Sequence, residues 1–150
     1  MIRRSGRDEA ETHFVIQRAA CLPALDHIFP PELYPFPDEE IRDRWRGFPG
    51  AVLVAERDGA PVGVAGVDDC WLHGFYVRPE WWGTAVADEL HDAALQAMPD
   101  CAEPRLWVLE ENHRARRFYE KRGWRMNRET RVVPYPPSPL DVGYSYVRGE

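Results

Sequence analysis

Two short stretches hold residues that could do chemistry together. In the first, Phe75-Tyr76-Val77 ends a β-rich run and Gly83 turns the chain toward a helix-patterned segment reaching about Met98. A tight glycine turn feeding a helix aims several unpaired backbone N–H groups at one spot where the helix dipole is positive, which is the chemistry of anion binding. Standing alone, that stretch reads equally as a plain amphipathic helix after a turn. In the second, Asn112-His-Arg-Ala-Arg-Arg-Phe-Tyr119 joins a helix-capping asparagine to a phenol. Tyrosine titrates near about 10, so Tyr119 is a protonated donor at neutral pH, or else an aromatic packed beside Phe118.

His73 is a candidate base. An imidazole with an ordinary pKa of about 6.5 can take a proton near neutrality. A strand histidine satisfied by backbone hydrogen bonds is an equally good reading. Strict alternation puts Trp71, His73, Phe75 and Val77 on one face. Glu110, Asp68 and Asp69 are rival bases, and ordered water alone is another. Cys70 and His73 lack a third partner for zinc or cysteine-hydrolase chemistry, so no metal is expected. Gly63 and Gly66 have no G-x-G-x-x-G frame.

The elements that position these residues follow from punctuation and period. Ile2 to Arg4 is at best a short strand. Ser5 and Asp8 form a capping-box pattern that predicts a helix to about Ala20. Asp38 is the expected cap of a second helix with Ile41 and Trp45 on one face. Ala51–Ala55 and Pro61–Val67 are β-rich runs joined by the hairpin signal Arg57-Asp-Gly-Ala60. Trp71–Val77 is a strand stopped by Pro79. Gly83 is expected to open a helix to about Met98 that buries Val86, Leu90, Ala93 and Ala97. Arg105–Leu109 is a strand, Asn112 caps a helix running to Arg122, and Gly123 stops it. Strands around Trp124–Val132 and Tyr144–Arg148 flank a proline-rich loop. The order αα-βββ-α-β-α-ββ is that of an α/β sandwich with a mixed sheet.

The chain has 150 residues, 44% hydrophobic and 29% charged, so one domain over 1–150 is the default. Five of its 14 prolines lie between Pro23 and Pro37 and four between Pro134 and Pro139, which marks two ordered, irregular loops. Charge-free runs are too short to span a bilayer, and the N-terminus lacks the apolar core of a secretion signal. A net charge of −6 weighs against nucleic acid or an anionic membrane as partner. Three widely spaced cysteines, Cys21, Cys70 and Cys101, argue against a disulfide framework and for a reducing cytoplasm.

Phe75 to Leu90 resembles the acyl-CoA-binding strand-loop-helix of the GNAT N-acetyltransferase superfamily. Asn112 to Tyr119, continued by Gly123-Trp124, resembles its second signature, N-x-x-A-x-x-F-Y followed by G-[FW]. The element order also matches, so the resemblance covers nearly the whole chain. It implies a single-domain, GNAT-like mixed β-sheet flanked by helices, in an acyl-CoA-dependent N-acyltransferase with acetyl-CoA as cosubstrate. It places CoA against Phe75, Tyr76 and Val77, with its pyrophosphate on the amides of Gly83, Thr84, Ala85, Val86, Ala87 and Asp88 beside Trp82. Asn112 and Ala115 then lie near the pantetheine arm, and Arg116 and Lys121 near phosphates. Tyr119 becomes the acid that protonates the departing thiolate, and His73 or Glu110 the base. Two residues depart from the usual [QR]-x-x-G-x-[GA] pattern: Trp82 replaces the polar residue and Ala85 the central glycine. The resemblance borders the acceptor cleft with Tyr34, Phe36, Trp45, Tyr135 and Tyr144. With the acidic charge, that favours a cationic small-molecule or peptide amine. A homodimer is compatible with the sequence. The alternatives are a CoA-binding module whose catalysis has lapsed and an interaction domain using the basic helix around Arg114 to Arg125.

Overall fold

The computed structural model describes residues 1–147. Seven strands form one mixed sheet in the order β1-β2-β3-β4-β5-β7-β6. They are β1 (Ile2–Ser5), β2 (Ala51–Arg57), β3 (Ala60–Asp68), β4 (Trp71–Val77), β5 (Arg105–Leu109), β6 (Trp124–Val132) and β7 (Leu140–Tyr146). The helices are α1 (Ala10–Ala24), α2 (Asp38–Arg46), α3 (Val86–Ala97) and α4 (His113–Lys121). Asp58 and Gly59, both at positive φ (54° and 76°), make the two-residue turn between β2 and β3.

Two apolar clusters hold helices to opposite faces of the sheet. Phe14, Ile16, Ile41 and Trp45 of α1 and α2 pack on Val52, Val54 and Val64. Val86, Leu90 and Ala94 of α3, with Tyr119 of α4, pack on Leu53, Ala65, Leu72, Leu106 and Val142. The α3 face is therefore Val86, Leu90, His91 and Ala94, with Ala93 and Ala97 only half-buried, one step round from the expected stripe.

Several local expectations give way. Ser5 does not cap α1. Its hydroxyl donates to Glu9 Oε1 at 2.6 Å and meets His13 Nε2 at 2.7 Å, while a 3₁₀ turn over Arg7–Glu9 leads into the helix. The helix continues to Ala24 and takes Pro23 into its last turn. Asp38 is the first residue of α2 rather than its cap, and its carboxylate accepts from Arg18 Nε at 3.3 Å. α3 begins at Val86, because Gly83 stands at φ +76°, outside the helical region. The last strand begins earlier than expected, at Leu140, and the expected end at Arg148 lies outside the described residues.

The cysteines are the main correction. Cys70, in the turn before β4, and Cys101, before β5, form a disulfide with Cα atoms 5.8 Å apart, leaving Cys21 free and buried. The parallel pairing of β4 with β5 brings these distant positions side by side, which spacing along the chain does not reveal. The argument from cysteines to a reducing compartment falls with it. Among the described residues, no helix is long and apolar enough to cross a membrane.

Candidate functional site

β4 and β5 run parallel but pair, among the described residues, only at Trp71↔Arg105 and Leu72↔Leu106. Beyond these rungs the strands part and leave a fork. Arg78 N–H donates to Val62 O at 2.8 Å, and Gly63 pairs with Val77. Alternation along that antiparallel ladder turns the N–H and C=O of Phe75 and Val77 away from β3 and into the fork. Val77 O accepts the Trp82 indole N–H at 2.8 Å, so Trp82 is bound into the fork's wall.

A β-bulge decides which side chains face which mouth. Val67 pairs with Leu72 and Gly66 with Gly74, leaving His73 as the extra residue on β4. Strict alternation breaks there. Phe75 and Val77 pack into the α3/α4 cluster, whereas His73 lies against Phe48 on the α1/α2 side. The expected shared face of Trp71, His73, Phe75 and Val77 is thus split. Gly74, within the strand, was the available sign of the bulge.

On the α3/α4 side the turn from Trp82 to Ala85 is built by backbone geometry. Gly83 at φ +76° reverses the chain with open space where a Cβ would sit. Thr84 Oγ1 donates to Trp81 O at 2.6 Å and accepts from Val86 N–H at 3.3 Å. Ala85 lies in the right-handed helical region (φ −71°, ψ −8°), which suits alanine as well as glycine. Gly83, Thr84 and Ala85 are exposed, so the positive end of α3 opens to solvent. The carboxylates of its first turn are engaged elsewhere: Asp88 with Arg122, and Glu89 with Arg57 at 2.8 Å. Ala87 is half-buried against the apolar cluster.

Asn112 caps α4 as its type requires, accepting from Ala115 N–H at 3.2 Å. Tyr119, 7% exposed, packs its ring against Phe75, Phe118 and Trp124. Burial pushes its phenol above the ordinary tyrosine range, which keeps it protonated. Behind it, Trp124 Nε1–H donates to buried His91 Nε2 at 2.9 Å, and His91 Nδ1 faces Asp92 at 3.1 Å. Arg116 turns inward: Nε donates to Tyr144 Oη at 2.9 Å and Nη1 to Glu110 O at 2.8 Å. Lys121 is exposed at the end of α4. Arg114, not singled out from the sequence, lies 3.7 Å over the Trp82 ring and so borders the Gly83 turn.

Across the fork, the Trp71 ring lies nearly parallel to those of His73 (24°) and Trp107 (19°). His73 keeps an exposed edge, but desolvation by the rings packed against it lowers its imidazole below the ordinary pKa, Asp68 opposing and Arg131 reinforcing that shift. Glu110 is exposed just past β5. Trp45 belongs to the apolar core with half-buried Phe36 packed against it, and Tyr144 is buried, donating to Glu120 at 2.5 Å. Tyr135 joins the second proline-rich loop to α2, donating to Glu40 Oε2 at 2.8 Å and accepting from Arg44. Trp107 and Arg131 were missed. The Leu106-Trp107-Val108 alternation marks Trp107 as outward-facing, whereas nothing local marks Arg131.

An uncharacterized N-acetyltransferase of Mycobacterium tuberculosis strain H37Rv is 38% identical over 84 residues, covering 51% of this chain and 54% of that protein. The chain thus spans about half the length of the curated relatives it matches. Among solved structures, a GCN5-related N-acetyltransferase from Rhodopseudomonas palustris superposes with TM-score 0.79 at 18% identity, over 99% of this chain and 95% of that one. The PaiA N-acetyltransferase of Thermoplasma acidophilum, solved in complex with coenzyme A, gives 0.72 at 20% identity, over 99% and 98%. These two likenesses are in fold. The profile of the Acetyltransferase (GNAT) family matches residues 19–124. With its fork, its glycine turn and that match, the chain belongs to the GNAT acetyltransferase family.

Proposed function

We propose that this protein transfers an acetyl group from acetyl-CoA to a primary amine by direct attack within a ternary complex. The observation that carries the reading is the fork, which has the Gly83 turn and Tyr119 at one mouth and His73 at the other. The thermoplasmal relative solved with coenzyme A supports the choice of cosubstrate. The residues suit it: an exposed helix terminus reached through a left-handed glycine offers amides to a pyrophosphate, and Arg114, over the Trp82 ring, adds positive charge nearby.

Each residue has a definite task in the reaction. The amine arrives as a cation and loses a proton to His73, whose partly desolvated imidazole is placed to accept it. The nitrogen attacks the thioester carbonyl, and the charge growing on its oxygen is met by the Val77 N–H that faces the fork. As the carbon–sulfur bond breaks, the nitrogen sheds its surplus proton to solvent, and Tyr119 gives its proton to the sulfur and regains one from solvent. A homodimer is part of the same reading, and so is a cytoplasmic setting, which rests on the family resemblance and no longer on the cysteines.

The test is thiol release from acetyl-CoA across an amine panel, with CoA binding followed separately by thermal shift. Turnover with at least one amine is expected. A second reading, a CoA-binding module without turnover, draws on the Trp82 indole, which takes up the Val77 carbonyl. A thermal shift without thiol release for any amine would favour it, and no thermal shift would end both.

A further inference from the structure

The apolar cluster beneath α1 and α2 reaches β4 and, among the described residues, takes in none from β5, β6 or β7 on the same face of the sheet. What that face carries is a wall of rings. Trp71 lies between His73 and Trp107, with centroids 6.0 and 6.2 Å away, and Phe48 closes the far end edge-on to His73. His73 is exposed, and both tryptophans are half-buried.

Over this wall stands a fixed cation. Arg131, from β6, holds its guanidinium 4.6 Å above the Trp107 ring. Its Nε donates at 3.0 Å to Asp141 Oδ2, a carboxylate with only 9% of its side chain exposed. Among the described residues, neither Nη atom has a partner. The guanidinium is therefore oriented by a buried acid and an aromatic face, with its two outer donors still to be used, a geometry that suits a carboxylate. It also occupies the ring face that a second cation would seek and repels one brought near it.

Resting on the acetyltransfer reading above, we propose that the acceptor is a zwitterionic amine bearing a flat ring. The ring packs against Trp71 and Trp107, its carboxylate meets the Nη atoms of Arg131, and its ammonium, close to that carboxylate, faces the mouth of the fork and reaches His73 through water. A flexible polycation is disfavoured, because it would gain no stacking and would face Arg131.

Calorimetric titration of the CoA-loaded protein, repeated on the CoA-free protein, tests this with phenylalanine, phenethylamine, cyclohexylalanine and spermidine as probes. Phenylalanine should bind at least about tenfold more tightly than each of the others, the scale of one charge-assisted hydrogen bond or one lost stacking contact. Arg131→Gln should remove the advantage over phenethylamine, and Trp71→Leu the advantage over cyclohexylalanine. CoA affinity should stay unchanged in both, and each melting curve shows that the variant is folded. Arg131→Lys, which keeps the charge and loses the fork, should lie between wild type and Arg131→Gln. Phenethylamine or spermidine binding as well as phenylalanine, either variant leaving its ratio intact, or no probe binding at all would overturn the proposal. Phenylalanine binding to protein that fails to take CoA would instead sink the acetyltransfer reading while leaving this site standing.

Discussion

The two mouths of the β4/β5 fork are made of different material. The α3/α4 mouth is mostly backbone: the inward N–H groups of Phe75 and Val77, the left-handed Gly83 and the open first turn of α3, completed by the Tyr119 phenol. The α1/α2 mouth is side chain: Trp71 and His73 from β4, Trp107 from β5, Arg131 from β6 and Phe48 from a loop. A backbone site survives substitution wherever the dihedrals survive, which is why Trp82 and Ala85 can stand in the turn without deforming it. A side-chain site changes with every residue. Chemistry shared across a family therefore suits the first mouth, and acceptor choice suits the second.

The sharpest way to separate them is Tyr119→Phe, which keeps the ring packing on Phe75 and Trp124 and removes only the hydroxyl. In steady-state kinetics kcat should fall by about 10²–10⁴, with CoA affinity little changed. A fall below about tenfold would remove the phenol from the rate-limiting step. Substituting His73 with Gln acts at the other mouth. Because partial desolvation lowers its imidazole below the ordinary value of about 6.5, the rate should lose an acidic limb lying below that pH. A pH–rate profile unchanged in shape and height would clear His73 and point to Glu110 or water.

Legibility followed the same division. Asn112, Gly123 and the Asp58-Gly59 turn announce themselves because each acts through its own backbone or its neighbours'. Tyr119 and Gly83 sit within contiguous signatures. The bulge at His73 has Gly74 as a local sign and Trp107 has its alternation, but where the bulge falls depends on how β3 and β4 pair, and the Trp71–Trp107–Arg131 group on three strands meeting. Ser5 resembles a cap but is drawn to Glu9 and His13, whose positions only the fold supplies. The Cys70–Cys101 bond is hidden for the same reason.

That bond ties the closed end of the fork, just before Trp71 and near Arg105, and so braces both mouths. A crosslink spanning 31 positions restricts the unfolded chain by about 3–4 kcal/mol. Reduction, or Cys70→Ser with Cys101→Ser, should lower the melting temperature by about 8–14 °C at this chain length. An unchanged Tm under full reduction would show that the bond contributes nothing to stability.

Among the described residues each side of the sheet also carries one buried histidine, His13 on α1 and His91 on α3, and burial lowers the pKa of both. Glu9 and Asp8 oppose the shift at His13, as Asp92 and Asp88 do at His91, while Arg3 and Arg122 reinforce it. Since both folded values lie below the unfolded value of about 6.5, the unfolded chain takes up the protons first. Stability is complete above that pH and declines as pH falls through it, by up to ~1.4 kcal/mol per pH unit for each histidine. Denaturant titrations at stepped pH should show this slope halved in His13→Gln or His91→Gln. A slope as steep as the wild type's in both variants would place the acid sensitivity elsewhere.

The claim that the two mouths serve different molecules is tested most directly by following backbone amides and indole N–H groups by NMR while CoA alone is added. The expected result is that Val77 and the amides of residues 83–88 move first and furthest, while the Trp71 and Trp107 indoles stay nearly still. Shifts centred on Trp71, His73 and Trp107, with residues 83–88 unmoved, would put CoA at the wrong mouth and contradict the account.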